Sequence, residues 1–227
     1  MTSICTNLQA VRERVEAAAR AVGRTPGEVA VLAVSKTWPV ASILEAARAG
    51  QRAFGANYVQ EGVAKIEALR DSDLEWHFVG PLQSNKSRAV AMHFDWVHSV
   101  DRGKLAERLS AQRDAALAPL NVCIQVNVSG EASKSGVAPD EVVPLAKTIA
   151  ALPRLRLRGL MCIPEPDGDP QVLHGRFRTL RLLLEELNAR GFSLDTLSMG
   201  MSADYAAAIK EGATIVRVGT AIFGKRE

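Results

Sequence analysis

Short apolar runs alternate with amphipathic stretches from end to end of this chain. The run Val29-Ala30-Val31-Leu32-Ala33-Val34-Ser35-Lys36 is β-branched and ends in an amine. Bounded by polar turns, it reads as a buried strand. Ahead of it, Leu8, Val11, Val15 and Ala18 recur at helical spacing and predict an amphipathic helix over 6–22, stopped by Gly23. Beyond Lys36 the same reading predicts helices over 39–49, 58–70, 84–92, 101–116, 139–151, 172–189 and 203–211. Between them it predicts strands over 52–55, 75–80, 96–100, 121–128, 155–163, 194–200 and 213–219.

Strands separated by helical crossovers are the signature of a parallel sheet with helices outside it. Eight such units closed on themselves make a (β/α)8 TIM barrel, a fold of about 250 residues in its usual form. The 227 residues here would be a compact version. An open doubly wound sheet is the alternative, but no Gly-x-Gly-x-x-Gly follows the first strand to anchor a dinucleotide. No linker divides the chain, and Pro-Asp-Gly-Asp-Pro at 166–170 reads as a polar loop inside one unit. A single domain over 1–227 is expected.

Composition narrows the classes. A content of 47% hydrophobic and 23% charged residues suits a soluble globular protein. The formal charge of +3 is scattered, with no basic run to track a phosphate backbone, so nucleic acid is not an expected partner. No apolar stretch is long enough to span a membrane, and charges occupy the place of a signal peptide's apolar centre. Cys5, Cys123 and Cys162 are odd in number and dispersed, without a Cys-x-x-Cys pair or a His cluster for a metal. Reduced thiols in a cytoplasmic protein are expected.

Candidate chemistry gathers at one end of the predicted barrel. Lys36 stands at the carboxyl end of the first strand, where parallel α/β folds keep their chemistry, and its amine can condense with a carbonyl. Side chains two apart share a face, so Ala30, Leu32 and Val34 should follow Lys36 into the lumen, and Ile215, Arg217 and Gly219 should share the inner face of the last strand. A guanidinium between two valines needs an acceptor there. The turn Ser198-Met199-Gly200-Met201-Ser202 after strand seven and Gly219-Thr220 after strand eight have the location and composition of a barrel phosphate site. Together these features describe a ligand with a carbonyl for Lys36, a phosphate for Ser202, Gly219 and Thr220, and an acceptor for Arg217. Pyridoxal 5'-phosphate (PLP) carries all three groups. Against each feature stands an ordinary role: a solvated or paired lysine, a helix cap, an arginine paired with a carboxylate. His77 and His98 are possible bases, although a histidine near a strand end is more often structural.

Four motifs carry a family resemblance: Leu-Ala-Val-Ser-Lys-Thr at 32–37, Trp-His-Phe-Val-Gly-Pro-Leu-Gln-Ser-Asn-Lys at 76–86, Leu-Arg-Gly-Leu-Met at 157–161 and Val-Arg-Val-Gly-Thr-Ala-Ile-Phe-Gly at 216–224. By these the chain closely resembles the pyridoxal phosphate homeostasis proteins over nearly its whole length. The resemblance implies a barrel of the alanine racemase N-terminal type, with PLP held as a Schiff base on Lys36. It also implies phosphate contacts from Ser202, Gly219 and Thr220, Arg217 against the pyridine nitrogen, and a pocket lined by Asn57 and bordered by His77 and Met161. Members of the family buffer PLP without an established catalytic reaction. Where they usually read Phe-Gly-Glu-Asn-Tyr, this chain has Phe54-Gly55-Ala56-Asn57-Tyr58, so a family carboxylate is replaced by a methyl.

Three functions follow as expectations. The first is a non-catalytic PLP carrier, a monomer, with PLP-dependent apo-enzymes as recipients. In its favour, the chain stops soon after strand eight, without the β-rich domain from which alanine racemases supply a catalytic tyrosine. The second is a small PLP-dependent amino-acid racemase. The third is a phosphate-sugar aldolase using Lys36 as its amine.

Overall fold

The computed structural model describes residues 3–130, 135–165 and 169–224. Eight parallel strands close into a barrel in sequence order, with β8 returning to pair with β1. The strands are β1 (Ala30–Val34), β2 (Ala53–Ala56), β3 (Glu75–Phe78), β4 (Trp96–Val100), β5 (Leu120–Gln125), β6 (Leu155–Met161), β7 (Thr196–Met201) and β8 (Ile215–Val218). The helices are α1 (Ile4–Ala21), α2 (Val40–Arg48), α3 (Val59–Ala68), α4 (Ser87–His93), α5 (Gly103–Gln112), α6 (Val142–Ala150), α7 (Pro170–Ala189), α8 (Tyr205–Lys210) and α9 (Thr220–Phe223). The predicted alternation and the closed barrel are thus borne out. Of the loop at 166–170, residues 166–168 lie outside the described residues.

Helices cover the outside of the sheet and side chains fill its lumen, which is why β1 reads as a continuous apolar run. The outward faces, with Ala33, Phe54, Val97, Val122, Val216 and Val218, join the inner stripes of the helices in one large apolar layer. Helix α1 buries Leu8, Val11, Val15 and Ala19, and Ser3 caps it by accepting the Thr6 amide at 3.2 Å. It lies across α2, α8 and α9 and so covers the seam where the end of the barrel meets its beginning.

The lumen is layered as the residue parity requires. Leu32, Val79 and Ile215 form one small inner cluster, and Trp96, Cys123 and Met161 form another. Register brings Ala30 beside Ile215 and Leu32 beside Arg217, so Arg217 does face inward. Among these apolar groups the lumen also holds the buried polar side chains of His77, His98, Ser198 and Arg217.

Three differences from the sequence reading have local causes. Strand β7 runs to Met201, so Ser198, Met199 and Gly200 belong to the sheet and Ser202 alone of that run lies beyond it. The ladder to β8 shifts register between Ser198 and Met201, and Gly200 sits at φ 93°, a conformation glycine adopts without a Cβ penalty. A Cβ there would lie 2.7 Å from that of Ala208 and 2.9 Å from Tyr205 Cα, so glycine also admits α8 against the strand. Strand β5 stops at Gln125, and Val126 instead bridges to Val137. Finally, the short helix α9 follows β8 directly, where the sequence suggested only a turn.

Candidate functional site

A cavity of about 310 Å³ opens at the carboxyl ends of the strands. Lys36, Asn57, Ser202, Arg217, Gly219 and Thr220 all line it, together with Val34, Trp38, Val79, Ile163, Met201, Ala203 and Gly224. Its volume sits at the lower end of the range, roughly 300–1,000 Å³, that holds small ligands.

Lys36 follows β1 on a turn held from behind. Thr37 adopts φ 67°, a left-handed conformation unusual for a β-branched residue. Its amide donates to Glu61 Oε1 at 2.6 Å, and the same carboxylate pairs with Lys65. Lys65, buried under the turn, donates to the Ser35 carbonyl at 2.7 Å. A glutamate and a lysine one turn apart on α3 thereby fix the two residues that flank Lys36. Trp38 stacks on Phe223 of α9 with ring centroids 5.9 Å apart, tying this turn to the segment after β8.

Asn57 follows β2, and its side-chain oxygen is buried without a hydrogen-bond partner. A buried acceptor left unpaired costs about 1–3 kcal/mol, so a donor brought by a ligand would relieve it. Gly80 allows Asn57 this position, since a Cβ on Gly80 would fall 2.1 Å from the Asn57 carbonyl oxygen. Ala56, which replaces the family's glutamate, is buried on the opposite face in the apolar layer against Gly62 of α3. The carboxylate serving this region is Glu61.

Arg217 is almost wholly buried and meets no carboxylate among the described residues. Nη1 donates to the Ser198 carbonyl at 2.6 Å and to Ser198 Oγ at 2.8 Å, and Nη2 donates to the Cys162 carbonyl at 2.8 Å. Three of its five N–H groups are therefore used, all on neutral acceptors. Burial lowers the guanidinium from its ordinary value, and the nearby Cys162, Asp204 and Cys123 oppose that shift. Asp204 is itself engaged by the Met201 amide.

At the rim, the Ser202 and Thr220 hydroxyls are exposed beside Gly219. A Cβ on Gly219 would approach the Val34 carbonyl to 3.0 Å, so glycine permits the two strand ends to converge. The arrangement can hold a ligand with a carbonyl near Lys36, an acceptor near Arg217 and an anionic group at the rim. Among the described residues no cluster suits a metal ion.

His77 and Met161 do not line this cavity. Both have the expected inward parity but lie one layer deeper. Just past β3 and β6 the residues at cavity level are Val79 and Ile163, each two positions further on. Met161 is fully buried against Trp96 and Cys123. His77 stacks on Trp96 at 5.2 Å and hydrogen bonds Glu75 and His98. Val79 and Ile163 were legible in principle, because period-two counting from His77 and Met161 reaches them.

The family model described as alanine racemase, N-terminal domain, matches residues 6–227. The pyridoxal phosphate homeostasis protein of Pseudomonas aeruginosa is 58% identical over 227 residues, 100% of this chain and 97% of that protein. Its counterpart in Escherichia coli K12 is 54% identical over 230 residues, covering 100% of this chain and 98% of that one. Among solved structures, PipY of Synechococcus elongatus with PLP bound superposes with a TM-score of 0.85 at 38% identity, over 98% of this chain and all of PipY. With matches that run the length of the barrel, the chain belongs to the alanine racemase N-terminal domain family and, within it, to the pyridoxal phosphate homeostasis proteins.

Proposed function

We propose that this protein binds pyridoxal 5'-phosphate reversibly, as a Schiff base on Lys36, and serves in PLP homeostasis without turning over a substrate. The observation that carries this reading is Arg217: a buried cation satisfied only by neutral oxygens, with N–H groups to spare, in the cavity that also holds Lys36. The donor set fits PLP group by group. Lys36 offers an amine for the aldehyde, and Ser202, Gly219 and Thr220 offer hydroxyl and backbone contacts for the phosphate. The orphaned Asn57 oxygen offers an acceptor beside them.

When bound, the cofactor supplies an electrophilic carbon conjugated to a ring that can accept electrons. Arg217, permanently charged, can only donate to the ring nitrogen and so keeps it unprotonated. That weakens the ring as an electron sink and disfavours demanding carbanion chemistry. Racemisation further needs a proton-transferring group on each face of the ring. Among the described residues lining the cavity, Lys36 is the sole group suited to that work. Tyr58 is exposed at the start of α3 and Tyr205 begins α8, neither of them on the cavity wall. These features favour a carrier over a racemase, and a coloured cofactor complex separates both from an aldolase.

We extend the reading to its setting: one barrel domain, acting as a monomer in the cytoplasm, delivering PLP to apo-enzymes that depend on it. Among the described residues no helix is long and apolar enough to cross a membrane. Borohydride treatment of the PLP-loaded protein should bleach the visible band and leave one pyridoxyl group on the peptide containing Lys36. Lys36→Ala should lose band and label with an unchanged far-ultraviolet circular dichroism spectrum. Label on a different lysine would overturn the assignment, and steady turnover of enantiopure amino acids would overturn the carrier reading.

A further inference from the structure

A file of hydrogen bonds crosses the lumen below the cavity, from Arg217 to the opposite mouth of the barrel. Arg217 Nη1 meets Ser198 Oγ at 2.8 Å, Ser198 Oγ meets His98 Nδ1 at 2.7 Å, His98 Nε2 meets His77 Nδ1 at 2.9 Å, and His77 Nε2 meets Glu75 Oε1 at 2.6 Å. Glu75 is half exposed on the far face, whereas both histidines and Ser198 are buried.

The two ends determine the order of the protons. Arg217 can only donate, and an ionised Glu75 can only accept. With both imidazoles neutral, one sequence satisfies all four bonds: Ser198 accepts from Arg217 and donates to His98 Nδ1, His98 Nε2–H donates to His77, and His77 Nε2–H donates to Glu75. Burial, with the Arg217 guanidinium nearby, pulls His98 well below its ordinary value and keeps it neutral. The hydrogen bond from His77 lowers Glu75 and keeps it ionised. Other charged or ionisable groups near the file are Cys162 and Asp204 beside Arg217, Asp95 ahead of β4, Cys123 on β5, Arg158 on β6 and Asp195 ahead of β7. Arg158 is bound to Asp195 at 2.7 Å and lies over Trp96.

We propose that Ser198 and His98 are positioning residues for Arg217, and that Glu75 and His77 set their proton order from the opposite mouth of the barrel. The proposal rests on the reading above in taking Arg217 as the group that meets the ring nitrogen. Removing the Glu75 acceptor frees the histidine pair to reverse. His98 Nδ1–H then competes with Arg217 for Ser198 Oγ, and the grip on the guanidinium loosens.

Two measurements separate this proposal from the PLP reading. In protein without added PLP, long-range proton–nitrogen correlation spectra of ¹⁵N-histidine should show His98 neutral with its proton on Nε2, and a protonated Nε2 on His77. Glu75→Ala should shift the His98 signals toward the Nδ1–H form. A His98 that is cationic or Nδ1-protonated in the parent protein overturns the file whether or not PLP binds. With PLP loaded, Ser198→Ala and Glu75→Ala should each move the pH midpoint of the visible band, and Ser198→Thr should restore it. Midpoints identical to the parent in both variants would leave the file purely structural and overturn the positioning role. Glu75 is half exposed at the opposite mouth, so its variant keeps the test available if Ser198→Ala fails to fold.

Discussion

Glu61→Ala tests whether the turn carrying Lys36 is held by α3. The substitution removes the acceptor of the Thr37 amide, a bond of 2.6 Å, and the charge partner of Lys65. The left-handed Thr37 costs about 1–2 kcal/mol relative to an ordinary backbone. A hydrogen bond to a charged acceptor contributes about 1.5–3 kcal/mol and so offsets that strain. Lys65, with 8% of its side chain exposed, would keep only the Ser35 carbonyl. Breaking a buried pair by removing one partner costs about 3–5 kcal/mol. Glu61 is 26% exposed, and water admitted there reduces the sum toward about 3 kcal/mol. Urea unfolding should show that loss, and Glu61→Gln, which keeps an acceptor, should lose about half as much. Adding Lys65→Met to Glu61→Ala should recover part of it by removing the stranded ammonium. A loss below about 1 kcal/mol for Glu61→Ala, with no recovery in the double variant, would refute the claim that this pair holds the turn.

Other expectations follow from single features. Gly80→Ala should weaken PLP binding more than it lowers stability, because its Cβ would fall 2.1 Å from the Asn57 carbonyl and displace a residue that lines the cavity. Overpacking of this kind costs about 1–3 kcal/mol in unfolding, and equal losses in both assays would argue against the link. For His98, the folded value lies well below 6.5, so under acid the unfolded chain takes up a proton that the folded chain refuses. Stability should therefore fall as pH drops below about 6.5, by up to about 1.4 kcal/mol per unit, until the folded value is reached. His98→Leu should flatten that slope in urea titrations. Cys123 and Cys162 are buried with thiols pushed up to about 12, whereas Cys5 is exposed. A thiol reagent at pH 8 should modify Cys5 in the folded protein and all three only after unfolding.

Much of the barrel was legible because its code is local. Buried parallel strands read as apolar runs, and helices as stripes stopped by glycines such as Gly50 and Gly23, so the order of elements follows from short windows. Lys36 and Arg217 were legible for the same reason: each is a cation placed by the parity of one apolar run. Depth was harder to read. His77 and Met161 had the right face and the wrong layer, since the level of a residue depends on strand tilt and on pairing with neighbours rather than on its own run. The polar file had no sequence signal, because His77 and His98 lie 21 residues apart and His98 and Ser198 lie 100 apart. The extension of β7 past Gly200 to Met201 was hidden similarly. A register shift is a property of two strands, and the Ser-Met-Gly-Met-Ser string alone reads as a turn.

The pairing of β8 with β1 has a consequence for how the protein is made. Lys36 arrives early in synthesis and Arg217, Gly219 and Thr220 arrive late, yet Leu32 and Arg217 are neighbours across the closing seam. On the ribosome, a nascent chain bearing Lys36 has that amine but not the guanidinium or the rim residues that complete the cavity. A chain arrested anywhere before β8 would present that amine in an open sheet. Under the proposed role of Lys36, capture of PLP on a finished cavity is thereby confined to chains in which β8 has emerged and paired with β1.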